Sequence, residues 1–188
     1  MTRQEPWVAA KPRCVLLDAT PILALQATDA WDAFTAAYEV VVPEIVAANE
    51  ALFHSRDGLT GFSQSIDLAA DIESGRISIA SATVDDLLRL NELLDGTFDI
   101  HDGEREALAL MLCREEYEDI AFCCGDRAAV YVACIIGCGD RCRSLEELLQ
   151  LVGQSRTLGH SMTEAFMDTH TRQGSEYRIT GVGLRHSR

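Results

Sequence analysis

The chain has 188 residues, 47% hydrophobic and 24% charged, with a formal net charge of −14. That balance suits a globular domain with a sizeable core, and the acidity excludes a generic nucleic-acid coat, which needs an excess of Lys and Arg. The longest apolar run, residues 128–137, is too short to span a bilayer. The opening Met-Thr-Arg-Gln-Glu-Pro carries no apolar signal core, so a cytoplasmic protein without membrane contact is expected.

The first element is the apolar run Cys14-Val15-Leu16-Leu17, ending in Asp18. A short, wholly apolar run reads as a strand buried on both faces, as in a parallel sheet. Thr20-Pro21 then predicts a helix start, with the hydroxyl as cap and the ring at the first helical position. Thr28 or Asp29 is expected to cap a second helical segment ending at Ala37. Tyr38 to Val42 is the second strand, closed by Pro43. Pro43-Glu44 predicts a helix running to about Phe53, and residues 54–64 have the composition of a loop.

Helix signals resume over Ile66–Glu73 and stop at Gly75, and Arg76 to Ala80 is the third strand. Thr83 with Asp86 forms a capping pattern ahead of Leu87, Leu88 and Leu90, and Gly96 ends that helix. Another helix begins near His101-Asp102-Gly103. A fourth strand, Asp119 to Cys124, runs into Gly125-Asp126, and a helix follows from Arg127 to about Ile136. Ser144 with Glu147 opens a further helix, Leu145–Val152. Strands alternating with helices predict an α/β domain wound around a parallel sheet.

From Arg156 the composition shifts, with five arginines (Arg156, Arg172, Arg178, Arg185, Arg188) against Glu164, Asp168 and Glu176. We expect a domain over 1–155, then a tail over 156–188 with a helix at Met162–His170 and a loose end. This tail is expected to contact RNA or an acidic surface of another subunit, or else to pack on its own domain. Elsewhere, seven cysteines without a CxxC pair predict buried reduced thiols rather than a zinc site or a disulfide framework.

Three acids carry the chemical signal. Asp18 and Asp126 each follow an apolar strand and precede a helix, and the carboxyl end of a parallel strand is where open α/β sheets bind ligands. The alternatives are that Asp18 only polarises its turn and that Asp126 caps the following helix. Glu104 heads an apolar stripe made by Ala107, Leu108 and Met111, so it needs a cationic partner unless it only complements the helix dipole. Glu106 is expected to be solvated. Acids gathered at one sheet edge repel one another, and a hard divalent cation such as Mg²⁺ or Mn²⁺ would neutralise them. One or two such ions can ready a water for attack on a phosphodiester. Arg105 and Arg127 directly follow two of these acids and are expected to reach the flanking phosphates.

These residues resemble those of a PIN domain, the fold of many metal-dependent ribonucleases, over roughly residues 13–152. Leu16-Leu17-Asp18-Ala19-Thr20 is similar to the opening motif of that family. Gly103-Glu104-x-x-Ala107-x-x-Leu110 resembles a helix of one subfamily, found largely among prokaryotic toxin-like nucleases. Gly125-Asp126-Arg127-Ala128-Ala129 resembles the third acidic motif, and Val40–Val42 with Pro43-Glu44 resembles the second strand and the helix after it. The resemblance implies a three-layer α/β/α sandwich with strand order 3-2-1-4-5. It implies metal-binding roles for Asp18, Glu104 and Asp126, with Thr20 helping to hold Asp18 or a bound water. The second acid departs from the pattern: the expected positions hold Asn49 and Glu50, so Glu50 substitutes one residue displaced, with Glu44 as another candidate.

The implied function is a Mg²⁺- or Mn²⁺-dependent endoribonuclease acting on an RNA substrate. It leaves room for the toxin of a toxin–antitoxin pair, with an antitoxin partner, and for a homodimer. The alternative is a PIN-like domain that has lost catalysis and binds protein or RNA. Other α/β readings fit less well. Phosphoacceptor domains and haloacid-type phosphatases need a lysine after the nucleophilic Asp, and the one lysine, Lys11, precedes it. Asp-Ala-Thr-Pro is no glycine-rich dinucleotide turn, and there is no Gly-x-Ser-x-Gly elbow.

Overall fold

The computed structural model describes residues 11–50, 53–55 and 63–185, without the side chains of residues 50, 53–55 and 63–65. Its strands are β1 (Cys14–Leu17), β2 (Glu39–Pro43), β3 (Phe53–Ser55), β4 (Ser63–Ser65), β5 (Ile77–Ala80) and β6 (Ala121–Cys123). Its helices are α1 (Ala19–Ala27), α2 (Trp31–Ala37), α3 (Ala69–Glu73), α4 (Val84–Leu93), α5 (Asp102–Cys113), α6 (Arg127–Ile135), α7 (Leu145–Gln150) and α8 (Glu164–Thr180).

Four strands form one sheet in the order β5-β2-β1-β6, and every neighbouring pair is parallel. Side chains alternate across such a sheet. Leu16, Val41 and Phe122 therefore face α4, α5 and α6, packing with Leu90, Leu108 and Val130. Val15, Leu17, Val40 and Val42 face the other way, onto Ile22, Phe34, Leu145 and Leu148 of α1, α2 and α7. β1, β2 and β6 are covered on both faces, which is why their sequences are nearly continuous apolar runs, whereas the edge strand β5 exposes Ser78.

The expected fifth strand is absent among the described residues. A single parallel bridge, Phe122–Cys142, stands in its place, with the Arg143 N–H donating to the Phe122 carbonyl at 2.9 Å. Ser144 then caps α7 by accepting from the Glu147 N–H at 3.0 Å, so the chain turns helical before a second pair can form.

Other expectations are corrected locally. Asp18, not Thr20, is the N-cap residue of α1, so Pro21 is the third helical residue, still within the first turn where proline is tolerated. Thr28 ends α1 instead of opening the next helix, and Ala30 precedes α2. The helix expected from Pro43 to Phe53 gives way to a π-helical turn over Val46–Glu50, and Phe53 enters a β3–β4 hairpin where a loop was expected.

The capping pattern at Thr83 forms as read: its hydroxyl accepts from the Asp86 N–H, and Asp86 accepts from the Thr83 N–H at 2.9 Å. Asp86 also receives both Arg114 Nε and Nη2, at 3.0 and 2.7 Å, tying the start of α4 to the end of α5.

The tail is not loose. Thr163 caps α8, and Gly181, with φ of 75°, ends it in the left-handed conformation that glycine adopts without a Cβ penalty. The helix lies along α6. At Gly174 a Cβ would come within 2.8 Å of the Cys134 Cβ and 3.1 Å of the Tyr131 Cα, so only a glycine lets the two backbones approach this closely. Ahead of α8, the Arg156 Nε donates to the Thr28 carbonyl at 3.2 Å, Leu158 packs on the α1-side core, and Met162 is buried there. Arg185 donates from its backbone and Nε to the Leu93 and Leu94 carbonyls. Arg188 lies outside the described residues.

All seven cysteines are free thiols, five buried and two, Cys14 and Cys113, half-buried. Burial pushes each of them up, Cys134 to about 11. A thiol held protonated is a poor nucleophile. Titration of the native protein with a chromogenic disulfide reagent should find no more than two fast thiols, and seven after denaturation. Rapid reaction of five would contradict this packing.

Candidate functional site

Because the sheet is parallel throughout, all four strands end at one edge. Asp18 follows β1 directly, and its N–H donates to the Cys123 carbonyl at 3.1 Å, extending the β1–β6 ladder to the rim. Gly125-Asp126 follows β6. A Cβ on Gly125 would come within 2.9 Å of the Thr20 Cγ2 and would overlap Met162, so this turn packs directly on the first turn of α1. That close approach brings the turn that carries Asp126 onto the start of α1, with exposed Thr20 at the contact.

Asp126 caps α6, its Oδ1 accepting from the Ala128 and Ala129 N–H groups at 2.6 and 3.2 Å. Glu104 enters from the start of α5 and is 3% exposed. Its Oε2 accepts from the His101 N–H at 3.0 Å, and the His101 Nδ1 lies 3.6 Å away. The Glu104 carboxyl is pushed up to about 7, first by burial and then by the charges of Asp18 and Asp126, against the His101 N–H and ring. Asp18 and Asp126 are therefore each near enough to act on Glu104. Asp18 is also 3% exposed, so two of the three are nearly dry.

Among the described residues, no three His, Cys, Asp or Glu side chains are gathered tightly enough to form a ready metal-ligand group. Asp18, Thr20, Glu104 and Asp126 offer oxygen donors at this edge, the kind a hard divalent cation prefers, with the His101 ring nitrogen beside Glu104. By donor chemistry these oxygens suit such an ion.

Glu106 overturns its expectation. It is 3% exposed, not solvated. Its Oε2 accepts from the Ile45 N–H at 2.8 Å and its Oε1 from the Ala82 N–H at 3.1 Å. It thereby ties the chain just beyond β2 and β5 to α5. The signal was present in Leu110 and Cys113, four and seven residues on, both apolar; α5 is buried nearly all round and has no wet face at this level.

The other candidates separate. Glu44 and Asn49 are exposed, and the Glu50 side chain lies outside the described residues. Arg127 is exposed at the start of α6. Arg105 is committed elsewhere: its Nη1 donates to Asn91 Oδ1 at 2.9 Å and its Nη2 to the Ile100 carbonyl at 3.3 Å, bracing α5 against α4.

A cleft of about 700 Å³ lies away from this edge, between α7 and α8. Glu147, Glu164 and Asp168 line it together with Arg143. Burial raises the Glu147 carboxyl there, Arg143 opposes the rise, and Glu164 and Asp168 add to it.

Compared with known proteins, the chain matches no family model, no curated sequence and no solved structure. No helix among the described residues is long and apolar enough to cross a membrane.

Proposed function

We propose that the chain is a PIN-like, Mg²⁺- or Mn²⁺-dependent endoribonuclease, with Asp18, Glu104 and Asp126 as the residues that would hold the ion. The observation that carries the reading is the convergence of these three acids at the carboxyl edge of a parallel sheet, where Glu104 is driven toward its neutral form by its own burial and by the other two. Such an edge favours a divalent cation over three separate charges. When bound, the ion would lower the pKa of a water and offset charge on a phosphodiester. Thr20, packed at the Gly125 turn, would use its hydroxyl to orient a water. Arg127, exposed beside Asp126, can take a flanking phosphate. Glu50 stays in the proposal as the fourth acid.

The looseness of the acid group favours a second reading, an inactive PIN-like domain that binds RNA or protein. Incubation of purified protein with single-stranded RNA in Mn²⁺, in Mg²⁺ and in EDTA separates the two. Cleavage in the divalent ions and none in EDTA is expected. RNA left intact in all three, at protein concentrations that saturate binding, leaves the binding module. A toxin role further implies an antitoxin whose addition stops cleavage.

A further inference from the structure

The tail helix brings to the acidic edge a set of side chains that the cleavage reading does not use. Phe166 and His170 recur at helical spacing on the face of α8 that meets α6. The Tyr131 hydroxyl is 2.8 Å from the His170 Nδ1, and their rings meet edge-on at 5.4 Å. The Phe166 ring lies 4.3 Å from that of His170, and the His160 ring stands against Phe166 at 5.8 Å, nearly perpendicular. His160, Phe166, His170 and Tyr131 thus form a continuous row of rings.

Tyr131 is one helical turn beyond Arg127, so the row begins where the acidic edge ends. The charges of Arg127, His160 and Asp126 all act on His170; burial is the main cause that lowers its pKa, Arg127 and His160 add to it, and Asp126 opposes. Glu164 and Asp168 of α8 are on its other side, where they act on Glu147 in the α7 cleft. Arg127 supplies positive charge at this rim beside Asp126, and screening confines its field to about 10 Å at moderate salt.

We propose that the α6–α8 rim is a subsite for single-stranded RNA, in which Arg127 takes a phosphate while exposed His160, propped by Phe166, and His170, fixed by Tyr131, receive unpaired bases. Flat rings beside a guanidinium accept any base face, and bases in a duplex are not available to stack on them. The proposal rests on the ribonuclease reading for its choice of RNA, but its test does not need cleavage.

Anisotropy of a fluorescent 12-nucleotide single-stranded RNA, measured in EDTA at low salt, reads binding alone. The wild type should bind the single strand at least about tenfold tighter than the same RNA in a duplex. His160→Ala and His170→Gln should each weaken single-strand binding by roughly fivefold to tenfold. Arg127→Ala should flatten the logarithmic salt slope by about one. Asp168→Ala, on the far side of α8, should bind at least as tightly as wild type. His160 is exposed, so its variant is expected to fold, and Gln at 170 keeps a polar partner for Tyr131; circular dichroism checks both. Equal binding by wild type and the histidine variants, no duplex discrimination, or no RNA binding at all overturns the subsite. Mn²⁺-dependent cleavage by wild type in any of those cases leaves the ribonuclease reading standing alone. Weakened binding in the variants with no cleavage by wild type ends the nuclease reading and keeps the subsite.

Discussion

Asp18→Asn should reduce Mn²⁺-dependent RNA cleavage by more than about a hundredfold while the apo protein melts at the same temperature or higher. Altering even a residue behind a metal ligand commonly costs 10–100-fold, and a proposed ligand should cost at least that. Stability should not suffer, because Asp18 is one of the two charges that raise the Glu104 carboxyl. Removing it relieves repulsion between nearly dry acids. The variant keeps the shape of the side chain, and the backbone bond from residue 18 to the Cys123 carbonyl does not depend on it. Single-turnover cleavage together with thermal melts in EDTA and in Mn²⁺ provides the check. Manganese should raise the melting temperature of wild type and do little for the variant. Undiminished cleavage by Asp18→Asn would place the chemistry elsewhere.

The second large effect is a contrast between two glutamates that are two residues apart and equally buried. Glu106→Gln should destabilise the protein by about 1–3 kcal/mol, whereas Glu104→Gln should be neutral or stabilising near pH 7. Glu106 accepts from two backbone N–H groups, one on each oxygen. A glutamine offers one acceptor and turns an NH₂ toward the other donor, leaving a buried amide unpaired. Glu104 is already driven toward neutrality, to about 7, so its amide isostere gives up little.

The same shift fixes the pH dependence. A carboxyl whose folded pKa lies above its unfolded value of 4.5 imposes no penalty at lower pH. As pH rises toward about 7, the unfolded chain ionises first and the folded state loses ground. The Glu104 contribution to apo stability should therefore decline from about pH 4.5 to about pH 7, and Glu104→Gln should flatten that decline. Denaturant melts of wild type and both variants across this range, in EDTA, test the assignment. A Glu104→Gln variant with an unchanged pH profile, or a Glu106→Gln variant as stable as wild type, would refute it.

How much of this could be read from the chain follows from where each interaction partner lies. β1 and β6 are legible because four or five adjacent apolar residues can satisfy only a strand covered on both sides, and Asp18 and Asp126 are legible as their terminal acids. The caps at Thr83, Ser144 and Asp126 are legible because donor and acceptor are two or three residues apart. Glu104 declares itself by the apolar residues one and two turns on.

The tertiary structure decided what depends on distant partners. Glu106 carries the same local signal as Glu104, yet its partners, Ile45 and Ala82, sit 61 and 24 residues away. Arg105 reads as a phosphate contact until Asn91 and Ile100 claim its guanidinium. The fifth strand fails because Ser144 caps a helix one residue pair too early, a contest between two local preferences that neither reveals alone. The tail reads as a helix only over Met162–His170 with a loose end, and packing on α6 accompanies a helix that runs through Thr180. Short-range order follows from the chain's own periodicity, while α8 against α6, and the row of rings it carries to the acidic edge, exists only because a glycine lets two backbones touch.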